Sequence, residues 1–110
     1  MRFSKIQNML LGIAIGDAFG AGYEFVHRNK GQVRDGVDMT KYVAHPKESF
    51  RHMPGQYTDD AQMSLGVAEL LLSDEVFDTE NLADTFVRVF KRDPIPGYSR
   101  GFQAILEKVM

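Results

Sequence analysis

A chain of 110 residues has the size of one ordinary domain and is too short for two. Hydrophobic residues at 44% and charged residues at 25% exclude a disordered composition, and a net charge of -2 argues against a basic nucleic-acid surface. The absence of cysteine removes disulfides, thiolate metal sites and a cysteine nucleophile together.

No apolar run reaches the length that spans a bilayer. The segment Met9 to Ile15 is interrupted by Gly12 and followed by Gly16-Asp17, without the flanks of a signal peptide. It reads as mature structure, with no membrane partner and the cytoplasm as default compartment. Ser4 can cap a first helix running to about Phe19, with Ile6, Met9, Leu10 and Ile13 spaced by three and four. At 100° per residue Asp17 projects onto that same apolar face, where a carboxylate needs a hydrogen bond, an ion pair or a metal. The alternative ends the helix at Gly16 and puts Asp17 in a turn. Gly16, Gly20 and Gly22 permit tight turning or close backbone approach, in a spacing that matches neither usual phosphate-loop fingerprint.

Residues 27 to 56 sustain no apolar period. His27, Arg28, Lys30, Arg34, His45, Lys47, Arg51 and His52 lie among Gly31, Gly36, Pro46 and Pro54. The stretch reads as a long loop with at most a helical turn near Met39 to Val43, and its histidines lack metal-type spacing. Solvated loop charge is the simplest account of its basic residues.

Thr58-Asp59-Asp60 then stands where this polar loop turns into an apolar run. Two readings are open. Thr58 is a natural N-cap whose hydroxyl can accept from a first-turn amide, with Asp59 and Asp60 placed where the helix dipole favours negative charge. Alternatively, a hydroxyl and two carboxylates form half of an oxygen shell for a hard cation such as Mg²⁺. A second helix follows to about Leu72, with Ala61, Met63, Val67, Leu70 and Leu71 apolar and Ser73-Asp74 at its end. Asp78 or Thr79 caps a third helix carrying Leu82, Phe86, Val89 and Phe90, which Pro94-Ile95-Pro96-Gly97 breaks. A fourth helix runs from about Ser99, with Tyr98, Phe102, Ile105, Leu106 and Val109 in helical period. The predicted helices are residues 4–18, 59–72, 79–92 and 99–109, and the fold class is an all-α helical bundle.

Three segments in order resemble the ADP-ribosylglycohydrolase family. Gly12-Ile13-Ala14-Ile15-Gly16-Asp17-Ala18-Phe19-Gly20, continuing to Glu24-Phe25, resembles its opening motif. Gly55-Gln56-Tyr57-Thr58-Asp59-Asp60-Ala61-Gln62-Met63 resembles its first metal-binding motif, and Gly97-Tyr98-Ser99-Arg100-Gly101-Phe102 its glycine- and aromatic-rich segment. The resemblance implies an all-α fold with a pair of Mg²⁺ ions (Mn²⁺ in some members) at the base of a cleft, held in part by Thr58, Asp59 and Asp60. It implies hydrolysis of the bond between the anomeric carbon of ADP-ribose and an acceptor, with ADP-ribose or an ADP-ribosylated substrate as partner. Glu24 matches a position that assists proton transfer over the substrate, and Asp59 and Asp60 join it as catalytic candidates through the metals. Asp17 and Gly20 match positions lining the cofactor cleft.

Two departures stand out. Ala61 replaces a threonine carried by many members, and the family's second, Asp-rich metal motif is not found in these residues. The chain therefore reads as a single, truncated N-terminal part of the family fold. Three functions compete: a hydrolase half-site completed by a second chain or further segment, a non-catalytic ADP-ribose- or metal-binding module, and a helical interaction domain in which Thr58-Asp59-Asp60 is only a cap. Thr58, Asp59, Asp60, Asp17 and Glu24 in one chain favour the first two.

Overall fold

The computed structural model describes residues 4–24, 40–46 and 51–109. It contains four α-helices: α1 (Lys5–Ala21), α2 (Asp59–Leu72), α3 (Thr79–Arg92) and α4 (Arg100–Lys108). The described residues hold no strand, and none of their helices is long and apolar enough to cross a membrane. The expected all-α class and the four predicted helices are therefore present. Phe25, His27, Arg28, Lys30, Gly31, Arg34, Gly36, Met39 and Lys47 lie outside the described residues.

Helix ends follow local chemistry. Ser4 opens α1 with a capping box, in which Gln7 N–H donates to Ser4 Oγ at 3.1 Å and Ser4 N–H donates to Gln7 Oε1 at 2.7 Å. Asp78 opens α3 by accepting from Asn81 N–H at 2.8 Å, and the helix stops one residue before Asp93-Pro94. Ser73 closes α2, its hydroxyl donating to the Leu70 carbonyl at 2.7 Å.

Each helix packs on the next in sequence, α1 on α2, α2 on α3 and α3 on α4. The centre lies between α2 and α3, where Leu70, Val89 and Phe90 are buried with Leu106 of α4 and Ile95 of the connecting loop. A Cβ at Gly66 would sit 3.1 Å from the Phe86 ring, so the missing side chain there sets the α2–α3 spacing. Arg92 and Glu69 join the two helices by a bidentate pair, 2.9 Å at each contact, on the surface. Such an exposed pair adds little beyond orientation.

The structure answers three readings of the sequence. First, α1 continues past Gly16 to Ala21, so Asp17 is helical and does not sit in a turn. Second, the apolar face of α1 is not core: Ile6 and Met9 are 66% and 58% exposed, Ile13 is exposed, and only Leu10 is half-buried. The reason is that α1 docks through its C-terminal end, where the small residues Ala18 and Ala21 are buried and allow close approach. Third, the described part of the stretch expected to hold at most a helical turn has a turn at Thr40, a bend at Lys41 and no regular element over 42–45. That segment crosses the end of α1 so closely that a Cβ at Gly22 would run into the Val43 carbonyl oxygen.

Two leucines on α2 provide a test of this core. Leu70 is 1% exposed and Leu72 86%. Leu70→Ala should cost about 2–5 kcal/mol in urea denaturation, whereas Leu72→Ala should stay within about 0.5 kcal/mol. Equal effects would contradict the placement of α2.

Candidate functional site

The site is built where the end of α1 meets the start of α2. Asp17 lies one turn before the end of α1. Its Oδ1 accepts from the Thr58 hydroxyl at 2.6 Å, and its Oδ2 accepts from Thr58 N–H at 2.7 Å and Ala61 N–H at 3.2 Å. Asp17 therefore satisfies the free amides that open α2. The expected cap is corrected accordingly: Thr58 occupies the N-cap position, but its hydroxyl donates to Asp17 and makes no cap bond to the helix. A charged carboxylate facing the positive end of a helix is the stronger acceptor, and it displaces the hydroxyl from that task.

Asp59 and Asp60 follow in the first turn of α2. One residue apart on a helix, they diverge by about 100°. Asp60 faces a cleft of about 370 Å³ that it lines with Gly16, Asp17, Gly20, Ala21, Tyr23 and Glu24. Asp59 is half-buried and packs towards the loop after α3, where a Cβ at Gly97 would sit 3.1 Å from its Oδ1. The structure thus brings Asp17, Gly20, Glu24 and Asp60 onto one cleft, with Thr58 buried behind Asp17. Gly20 presents open space, since a Cβ there meets nothing within 4 Å.

Negative charge accumulates here, with His45 acting against it at Glu24. Asp59 is held above its ordinary value of 3.8, first by burial and then by the charge of Asp60, with Thr58 and a backbone amide drawing it partly back. Glu24 is held above 4.5, first by burial and then by Asp59, Asp60 and Asp17, with His45 opposing. Hard oxygen donors in mutual repulsion are the donor chemistry that suits a divalent cation. Among the described residues, no three His, Cys, Asp or Glu side chains gather closely enough to hold a metal ion by themselves. The residues present therefore fit part of an oxygen shell.

Supporting residues escaped the sequence reading. Buried His45 donates from Nε2 to the Glu24 carbonyl at 2.5 Å and so ties the loop to the cleft edge. Gln62, 1% exposed, donates from Nε2 to the Asp93 carbonyl at 2.7 Å and accepts from the Tyr98 hydroxyl at 2.6 Å. Tyr57 donates its hydroxyl to Asp93 Oδ2 at 2.5 Å. Burial is the first cause that pushes both Tyr57 and Tyr98 up to about 12, so both remain donors at neutral pH. A glutamine amid apolar helix positions was the available signal for Gln62, but its partners lie 31 and 36 residues away.

The family model described as ADP-ribosylglycohydrolase matches residues 1–109. Human ADP-ribosylhydrolase ARH3 is 30% identical over 117 residues, covering 97% of this chain and 30% of the relative. The ADP-ribosylarginine hydrolase Tri1 of Serratia proteamaculans is 36% identical over 87 residues, covering 79% of this chain and 22% of the relative. The ADP-ribosyl-[dinitrogen reductase] glycohydrolase of Rhodospirillum rubrum is 34% identical over 89 residues, covering 77% and 28%. The chain thus spans about 30% or less of the length of these relatives. No solved structure matches it.

Two outcomes are expected. Asp17→Ala strips acceptors from two amides and a hydroxyl, and should cost about 1.5–3 kcal/mol as a charge-assisted cap, with faster exchange of the Thr58 and Ala61 amides. Thr58→Val removes one hydroxyl and should cost only about 1 kcal/mol; the reverse order would restore Thr58 as the cap. Glu24 and Asp59 hold protons more tightly folded than unfolded, so in metal-free buffer their contribution to stability falls as pH rises through their raised values. Carbon-detected NMR titration should place their midpoints above 4.5 and 3.8. Asp60→Asn should lower both, and midpoints that ignore this change would mean the carboxylates do not interact.

Proposed function

Because this chain belongs to the ADP-ribosylglycohydrolase family, we propose that it contributes the N-terminal half-site for metal-dependent hydrolysis of ADP-ribosyl N- or O-glycosidic bonds. The observation that supports this most is the family match over residues 1–109 together with the convergence of Asp17, Gly20, Glu24 and Asp60 on one cleft beside Thr58 and Asp59. The substrate class is ADP-ribose attached to a protein side chain or a small acceptor. The remaining ligands come from the rest of a family-length fold, in the same polypeptide or from a second chain.

In this reading Thr58, Asp59 and Asp60 hold Mg²⁺, or Mn²⁺, through oxygen. The ions would supply charge that holds ribose hydroxyls and acidifies a water. The chain's own residues do the rest. Asp17 keeps the first turn of α2 rigid against α1, so the donors on both sides of that junction keep one geometry. Gly20 leaves the cleft wall bare, so a sugar can approach the backbone. Glu24 lies on the cleft and is held above its ordinary value, first by burial and then by the neighbouring carboxylates, a direction that favours its acid form and suits a group that passes a proton. As the bond from the anomeric carbon to the acceptor breaks, water bonds to that carbon. The departing nitrogen or oxygen takes up one proton, and Glu24 relays the exchange.

The experiment replaces Asp59 and Asp60 together with Asn. Losing the dipole interactions costs about 0.3–1 kcal/mol for each residue, so helix content by circular dichroism should persist. Mg²⁺ or Mn²⁺ binding by calorimetry should disappear. Residues 1–110 alone should show no turnover, because no described set of three acidic or histidine ligands is present. Fused to the remaining two-thirds of a family-length fold, the chain should release ADP-ribose from a modified peptide only with metal and only with both aspartates. Release that persists in the double Asn variant would place the site elsewhere.

A further inference from the structure

Gln62 and Tyr98 line no part of the cleft, yet they lie close to Asp59, the chain neighbour of its carboxylate Asp60. Gln62 stands three residues after Asp59 on α2, so both side chains project from the same side of the helix. At 1% exposure it is fully buried, and a buried amide must place its hydrogen bonds or lose stability. Its Nε2 donates to the Asp93 carbonyl at 2.7 Å, at the end of α3, and its Oε1 accepts from the Tyr98 hydroxyl at 2.6 Å. Both ends of the turn Asp93–Tyr98 therefore hang on this one side chain.

That turn carries Gly97, with φ at +123°, a conformation other residues adopt only under strain. A Cβ on Gly97 would lie 3.1 Å from Asp59 Oδ1, 3.2 Å from Thr58 Cβ and 3.4 Å from Asp59 N. The Gly97 backbone thus forms the wall against which the Asp59 carboxylate rests. Tyr98 is fixed on its other faces too, its ring packing edge-on against Phe90 and Phe102 at 5.7 and 5.5 Å.

We propose that Gln62 and Tyr98 are positioning residues: through their hydrogen bond they press Gly97 against the first turn of α2 and hold Asp59 in one rotamer. The bond joins α2 to the 93–98 turn without touching a substrate. Its role in metal binding rests on the function proposed above, whereas the fixed rotamer of Asp59 does not.

The test uses Tyr98→Phe, which removes one hydroxyl and keeps the ring packing, and Gln62→Met, which keeps the shape of the side chain. Three-bond NMR couplings and the nuclear Overhauser contact between Gly97 Hα and Asp59 Hβ report the rotamer in metal-free buffer. Paramagnetic broadening of the Asp59 and Asp60 signals by Mn²⁺ alone reports binding. The wild type should show one Asp59 rotamer and each variant an averaged one, with the double variant averaged no more than Gln62→Met alone, which already loses both the Tyr98 bond and the bond to the Asp93 carbonyl. Mn²⁺ should bind about tenfold more weakly in each variant, as when outer-shell partners of a metal ligand are lost. An Asp59 rotamer that stays fixed in Tyr98→Phe, with the Gly97 contact intact, overturns the proposal. Averaging in the variants combined with no Mn²⁺ broadening in the wild type supports the clamp and overturns the metal reading.

Discussion

Everything in this molecule that faces the cleft depends on how one carboxylate is satisfied. Asp17 projects from α1 into the opening turn of α2 and takes three hydrogen bonds there, two from backbone amides and one from Thr58. An acid on an otherwise apolar and small-residue helix face would be costly if left alone. A helix N-terminus offers what it lacks, unpaired N–H groups and a favourable dipole. Each feature solves the other's problem, so the two helices lock at one distance and one rotation. Ala18 and Ala21 complete the contact because only small side chains let the backbones come that near.

This lock has an electrostatic consequence. With Asp17 committed to the amides, Asp59 and Asp60 enter the same turn and both act electrostatically on Glu24, which lines the cleft with Asp60. Glu24 and Asp59 are both held above their ordinary values, first by burial and then by the neighbouring carboxylates, since each penalises the ionised form. A fold optimised for stability alone would disperse such charge. Its concentration beside a bare glycine wall is the pattern expected of a functional site.

The core behind the cleft is thin and partly polar. Leu70, Val89, Phe90 and Leu106 supply its apolar centre, while Gln62 and Thr85 are as fully buried as they are. Gln62 links the end of α3 with Tyr98, and Tyr57 reaches the same Asp93 from the loop before α2. Hydrogen bonds thus join the buried Ile95 and the packed Tyr98 ring in fixing the 93–98 turn. Directional bonds specify one geometry where a small core would tolerate several.

The sequence by itself determined the helices and most of their ends. Local signals suffice for these: Ser4 with Gln7 forms a capping box, Asp78 caps α3 and Pro94 closes it, while the motifs that resemble the family offered Asp17, Gly20, Glu24, Thr58, Asp59 and Asp60 as candidates. Partnership at long range was beyond it. Helical periodicity assigned Ile6, Met9 and Ile13 to the core, because a period reveals which side chains share a face but not where the next helix docks. Thr58 read as its own helix's cap because the better acceptor lies 41 residues earlier in the chain. Asp59 and Asp60 looked equivalent until the packing set Asp59 half-buried beside Gly97 and left Asp60 exposed on the cleft. Propensity, capping and periodicity act within a few residues and are written in the chain, whereas the pairing of a carboxylate with distant amides exists only once the helices have met.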